Sequence, residues 1–258
     1  MTALAPMPVS SPLPSALAGR TAVIVGGSSG IGLAAGRLLA SVGARVVLVA
    51  REAARLESAV AGVRAAGGAQ VLGLSADSAR EEALEQVFEQ AGSVDHVLVT
   101  AGAFAMGALL DTPREQVQEA VDSRLWSAYA AARVAARHLP AGGSITFSSG
   151  LYAVRPVPGV PAAIASVAAV EGLTRALAVE LAPRRLRVNA LRYGIVDTPM
   201  SRGAFGLDGD EAVAEAGRSS LIGRFGTADE AAAAALFLMA NNFMTGAVLD
   251  VDGGAGLA

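Results

Sequence analysis

The chain contains no cysteine, which excludes disulfides, thiolate nucleophiles and cysteine metal sites. Lysine is absent as well, since all 20 basic residues are arginine, and any mechanism that needs a lysine amine is excluded with it. Histidine occurs twice and aromatic residues make up only 4% of the chain. A core without rings must come from Ala, Val and Leu, small side chains that suit helices laid closely on a sheet. No run of basic residues accompanies the formal charge of −3, so nucleic acid and other polyanions are not expected partners; a small-molecule substrate is.

What is present is 53% hydrophobic over 258 residues, enough for one large α/β domain. Residues 1–18, broken by Pro6, Pro8, Pro12 and Pro14 and lacking positive charge, do not read as a signal peptide. They are expected to form a flexible arm before a single domain over 19–258. The longest apolar stretch, Ala231 to Ala240, is about half of the ~20 residues needed to cross a bilayer. A soluble, cytoplasmic protein without membrane contact is the expectation.

Short continuous apolar runs alternate with alanine-rich segments. TAVIVGG (21–27), ARVVLVA (44–50), AQVLGLS (69–75), HVLVTAG (96–102), GSITFSS (143–149), RVNALRY (187–193) and AVLDVDGG (247–254) predict seven parallel strands covered on both faces. Helices are predicted over 31–41, 52–66, 79–91, 113–138, 161–182 and 228–241, with Pro113 near one start and Gly67-Gly68 closing another segment. The fold class is a single-domain doubly wound Rossmann α/β sheet. One irregular lid is expected over Asp197 to Arg224, where glycines interrupt the pattern.

The first strand runs into VGGSSGIG, residues 25–32. Glycines at 26, 30 and 32 permit a tight turn, so Gly26, Ser28, Ser29, Gly30, Ile31 and Gly32 are candidates to hold a pyrophosphate at a helix start. A glycine-rich turn of an unrelated α/β protein is the alternative. At the end of the second strand no carboxylate stands at Ala50, and Arg51 follows. An arginine there suits a 2′-phosphate, hence NADP(H), or is simply a solvated residue at a helix start.

From about Leu17 onward the chain resembles a classical short-chain dehydrogenase/reductase. The resemblance rests on VGGSSGIG, on SAD at 75–77 and TAG at 100–102, on AAVEGLTRALAVELAP at 168–183, on RVNALRYGIVDTPM at 187–200, and on GRFGTADEAAAAALFLMANNFMTGAVLDVDGG at 223–254. It implies an NADP(H)-dependent oxidoreductase in which Ala76, Asp77 and Ser78 border the adenine. Thr100, Ala101 and Gly102 would border its ribose, and Tyr193, Gly194, Ile195 and Thr198 the nicotinamide. It also implies a homotetramer, or a homodimer, built through 113–138, 161–182 and the last strand.

The family's chemistry uses a serine, a tyrosine and a lysine, with an asparagine on the preceding long helix. Anchored on AAVEG, the Tyr-x-x-x-Lys motif should occupy 163 to 167, where the chain has Ala163, Ile164, Ala165, Ser166 and Val167. The serine position falls on Gly150, with Ser149 just before it; the asparagine position is Arg124. Arg124, Ser149 and Tyr152 are therefore the candidate catalytic residues. Arg124 is expected to fix the cofactor or an anionic substrate oxygen, or else to run along its helix to solvent. Tyr152 and Tyr193 could each offer a hydroxyl or be packing residues; His96 and His138 read as structural, and no metal site is expected. Three functions stay open: a reductase acting on an activated C=O or an iminium C=N without the tyrosine–lysine relay, a non-redox cyclase, isomerase or dehydratase, and a silent cofactor-binding protein.

Overall fold

The computed structural model describes residues 15–67, 70–218 and 220–257. Seven strands, β1 (Thr21–Val25), β2 (Arg45–Ala50), β3 (Val71–Ser75), β4 (His96–Val99), β5 (Ser144–Gly150), β6 (Arg187–Tyr193) and β7 (Val248–Val251), form one sheet in the order β3-β2-β1-β4-β5-β6-β7. Every pairing is parallel, and the order reverses between β1 and β4. In such a sheet the crevice beyond the carboxyl ends of the strands at the reversal is where ligands bind.

Alternation along the strands divides the core. Val23 and Val25 of β1 pack on one face with α3 (Glu81–Ala91), α5 (Ser127–His138) and α6 (Pro161–Glu180). Ala22 and Ile24 pack on the other with α1 (Gly30–Ser41), α2 (Ala53–Ala65) and α9 (Ala228–Ala240). With both faces covered, each strand is apolar throughout, and each fully buried Val or Leu contributes about 1.5–3 kcal/mol.

Two expectations meet a different geometry, and two others fall wholly or partly outside the described residues. Residues 1–14, most of the expected arm, lie outside the described residues, but Ser15–Leu17 form a short turn and Leu17 is buried in the core. Gly68 and Ala69, expected at a helix stop and a strand start, also lie outside them. The helix expected over 113–138 is α4 (Arg114–Val121), then a π turn (Asp122–Trp126), then α5. The expected irregular lid contains α7 (Pro199–Phe205) and α8 (Gly209–Gly217). A reciprocal cap starts α7: Thr198 Oγ1 accepts from Ser201 N, and Ser201 Oγ accepts from Thr198 N at 3.0 Å.

Among the described residues one helix, α6, is long and apolar enough to cross a membrane, longer than the stretch singled out in the sequence. Its buried residues, from Ala162 to Ala178, include Ser166, Glu171 and Thr174, and Glu171 hydrogen-bonds to side chains of β5 and β6, so the helix is placed as a core helix of the sheet.

Candidate active site

A cavity of about 1090 Å³ opens at the carboxyl ends of the strands. At its β1 end backbone geometry dominates. Gly26 has a φ of +93°, and a Cβ on Gly32 would lie 2.3 Å from the Gly26 carbonyl oxygen, so the turn closes only with glycine at both places. Thr100 Oγ1 donates to the carbonyls of Val25 and Gly26 at 3.2 Å and locks β4 to the turn. Ser29 is extended and makes no side-chain cap bond, which leaves the first-turn amides of α1 facing the cavity for an anion.

Further along the rim, Ala76 N donates to the Ala50 carbonyl at 3.1 Å, and the Ser78 hydroxyl meets that of Ser127 at 2.9 Å. Arg51 is exposed at the end of β2, where Ser75 Oγ donates to its carbonyl at 3.0 Å. Arg55 lines the same rim and pairs with Glu52 at 3.1 Å. This wall, with a helix start beneath and guanidinium groups above, fits a dinucleotide bearing several phosphates.

The opposite wall is made by side chains. The π turn is pinned where Ser123 Oγ accepts from Ala103 N at 3.0 Å, and it turns Arg124 into the cavity. Such widened turns recur at functional sites. The Arg124 guanidinium lies against Gly102, where a Cβ would stand 2.7 Å from its Cζ. Burial lowers its pKa to about 10, so it stays charged at neutral pH, and it has no ion pair or hydrogen bond among the described residues.

Ser149, at the end of β5, donates to Glu171 Oε1 at 2.7 Å. Burial pushes the Glu171 carboxyl up, but hydrogen bonds from Arg192 and Ser149 and the charges of Arg192 and Arg175 outweigh it and hold the group below its ordinary value. Tyr152 follows β5 in the short turn Leu151–Ala153, with its ring 6.3 Å from that of Phe104. Phe104 in turn stands 6.4 Å from Phe205 of α7, giving the cavity an aromatic side. Burial raises the Tyr152 pKa, so its hydroxyl keeps its proton at neutral pH. Ala163 and Val167 of α6 complete the wall.

All candidate residues named from the sequence line this one cavity, but several of their hydroxyls are engaged elsewhere. Tyr193 OH donates to the Ala231 carbonyl at 3.3 Å, which decides for packing over chemistry at that tyrosine. The hydroxyl of Thr198 is used in the α7 cap, and that of Ser149 in the bond to Glu171. His96 bonds Ser144 Oγ at 2.8 Å, and His138 of α5 bonds Glu85; both are structural. Sequence reasoning missed Glu171 and Arg192. The available signal was a pair of opposite charges, one in the most apolar helix and one in a core strand.

The profile of the family described as Enoyl-(Acyl carrier protein) reductase matches residues 25–256. The chain is 36% identical to carbonyl reductase family member 4 of Danio rerio, over 91% of this chain and 97% of that one. A short-chain dehydrogenase from Burkholderia cenocepacia J2315, solved in complex with NADP, superposes with a TM-score of 0.84 at 35% identity, covering 93% of this chain and 98% of that one. MalC reductase/Diels-Alderase from Malbranchea aurantiaca superposes with a TM-score of 0.85 at 28% identity, covering 94% and 98%. With seven parallel strands, a glycine-closed turn opening onto the cavity and this breadth of likeness, the chain belongs to the short-chain dehydrogenase/reductase family of oxidoreductases.

Proposed function

We propose that this protein is an NADP(H)-dependent reductase of an activated C=O or C=N bond, an iminium in particular, working without a tyrosine–lysine proton relay. What supports the reading is the α6 wall of the cavity, lined by Ala163 and Val167, the residues that the sequence resemblance would set at the tyrosine and lysine positions of the family motif, in a chain with no lysine at all. A neutral carbonyl needs an acid at its oxygen as it is reduced, whereas an iminium carries its positive charge beforehand and needs none.

The first-turn amides of α1 would hold the pyrophosphate, and Arg51 a 2′-phosphate, in keeping with the NADP complex of the Burkholderia relative. The cofactor supplies a hydride when bound. Arg124 acts electrostatically, since a guanidinium does not give up its proton at neutral pH. Tyr152 keeps a hydroxyl with no partner among the described residues and would donate it to the rarer neutral acceptor. Exposed Trp126 and Tyr129 on the π turn and α5, with their rings 5.8 Å apart, suit a homotetramer formed through these helices.

The test is NADPH consumption, followed by nicotinamide absorbance, across a panel of cyclic imines and activated ketones. Turnover of imines with Ala163→Tyr leaving the rate unchanged is the expected result; a flat trace across the panel overturns the reading. A second reading, a non-redox cyclisation in the same cavity, is favoured by the likeness to a protein named both reductase and Diels-Alderase. Conversion that persists when NADP⁺ replaces NADPH would select it.

A further inference from the structure

We propose that Glu171 fixes Ser149 as a hydrogen-bond acceptor toward the cavity, so that the wall where β5 meets α6 takes a substrate N–H and not a carbonyl oxygen. The inference deepens the reductase reading and rests on it for the reducible bond; the polarity of the wall follows from the hydrogen bonds alone.

A carboxylate has no proton, so in the 2.7 Å contact between Ser149 Oγ and Glu171 Oε1 the serine is the donor. Glu171 is itself immobilised. Arg192 Nε reaches Oε1 at 2.8 Å and Arg192 Nη2 reaches Oε2 at 2.8 Å, a forked pair that keeps the acid ionised, and Arg175 stands 3.7 Å away. Arg192 is held from behind by Asp250 at 2.7 Å. A serine hydroxyl has one proton, and the Val167 carbonyl, 3.4 Å from Oγ, lies beside the acid as its one other hydrogen-bond acceptor among the described residues. What remains for the cavity is the oxygen's lone pairs.

The neighbouring hydroxyls do not restore a donor. Ser148 also lines the cavity, but it alternates to the face of β5 opposite Ser149, where its oxygen is buried without a partner among the described residues, and Tyr193 OH is spent on Ala231. A carbonyl oxygen placed at the end of β5 would therefore meet an acceptor, whereas an amine or iminium N–H would meet one side of a strong bond made stronger by the ionised acid behind it. Tyr152 leaves a donor on the loop beyond the strand, so the cavity presents an acceptor at the strand and a donor at the loop.

The test titrates three probes of one bicyclic shape into the full chain, with and without NADP⁺, by calorimetry: protonated tetrahydroisoquinoline, its oxygen isostere isochroman, and β-tetralone. The amine is expected to bind at least about tenfold tighter than either, the scale of one hydrogen bond to a charged group. Ser149→Ala should erase that preference while leaving the binding of the two oxygen probes within about twofold. Arg124 penalises the cation equally in both proteins, so the difference isolates Ser149. Removing the buried charges together, Glu171→Leu with Arg192→Leu, frees the serine proton and should shift preference toward β-tetralone; if that pair fails to fold, Ser149→Ala still decides. Equal binding of the three probes, no measurable amine binding, or a preference that survives Ser149→Ala overturns the proposal. Because none of these readouts needs hydride transfer, a chain that binds the amine but never consumes NADPH would sink the reductase reading and leave the serine assignment standing.

Discussion

The two ends of the sheet treat polar groups in opposite ways. At the amino ends the side chains of Asp95, His96 and Arg187 are paired, with Arg187 Nε the one buried nitrogen there left without a partner among the described residues. Asp95 accepts from Thr21 N at 2.9 Å and pairs with Arg20, His96 bonds Ser144, and Arg187 donates to the carbonyls of Leu238 and Met239 at the end of α9, at 2.7 and 2.6 Å, and to that of Met244. At the carboxyl ends the Arg124 guanidinium and the Tyr152 hydroxyl are left without partners among the described residues. Buried polar groups cost stability unless paired, so the first end is built to hold the fold and the second bears a cost that only a ligand can offset. A variant at the amino end should therefore show in stability, and one at the carboxyl end in binding.

Arg187 should give the largest break. It is buried, and its burial lowers the pKa to about 10, yet it closes the last carbonyls of α9, which have no partner within the helix. Arg187→Met keeps the aliphatic stem and removes the donors. A loss of about 3–4 kcal/mol in urea unfolding is expected, the range for stranding partners of a buried charged group, with NADP⁺ affinity per folded molecule unchanged. A loss under about 1 kcal/mol would mean water replaces the guanidinium and the amino end is less closed than the geometry indicates.

His96 gives a pH-dependent version of the same contrast. Burial, reinforced by the nearby Arg187 charge, lowers its pKa from 6.5 to about 4. Between these values the unfolded chain takes up a proton that the native imidazole refuses, so stability contributed by the neutral ring is full above pH 6.5 and is lost as the pH falls toward 4. The drop should approach about 3 kcal/mol, and His96→Gln, which does not titrate, should remove this part of the slope in a series of unfolding curves. An unchanged slope would assign acid sensitivity to other groups.

The same division explains how much of the molecule is legible in its sequence. The seven parallel strands were legible because burial on both faces writes continuous apolar runs, and β6 begins and ends at the residues expected, Arg187 and Tyr193. The glycine turn was legible because it is a matter of backbone. The π turn at Asp122–Trp126 was not, since its residues form an ordinary helix equally well and the bonds that Ser123 and the following Ser127 make, to Ala103 and Ser78, involve residues far along the chain. The short helices α7 and α8 were masked by Gly203, Gly206 and Gly209, although the Thr198–Ser201 cap was available as a cue. Ser149 was found as a residue but not as half of a pair, because Glu171 and Arg192 come from other elements and meet it only through the strand order.

Arg124 sharpens the comparison from the other side, with the smallest expected change in stability. Its guanidinium is desolvated against Gly102 and has nothing within the described chain to balance it, so Arg124→Met exchanges an unpaired cation for an apolar side chain of similar reach. Stability should rise or stay within about 0.5 kcal/mol, in contrast to the loss at Arg187, where the same substitution removes the side-chain donor from the Leu238 and Met239 carbonyls. Affinity for NADP⁺, or for a carboxylate-bearing cyclic imine in its presence, should fall by about tenfold or more. Whichever of the two ligands loses affinity is the one this cation serves. Arg124→Lys should recover only part of the loss, because a point charge replaces a planar fork. If Arg124→Met instead destabilised the fold as Arg187→Met does and bound both ligands unchanged, the π turn would be a packing device and the division between the two ends of the sheet would fail at its most exposed point.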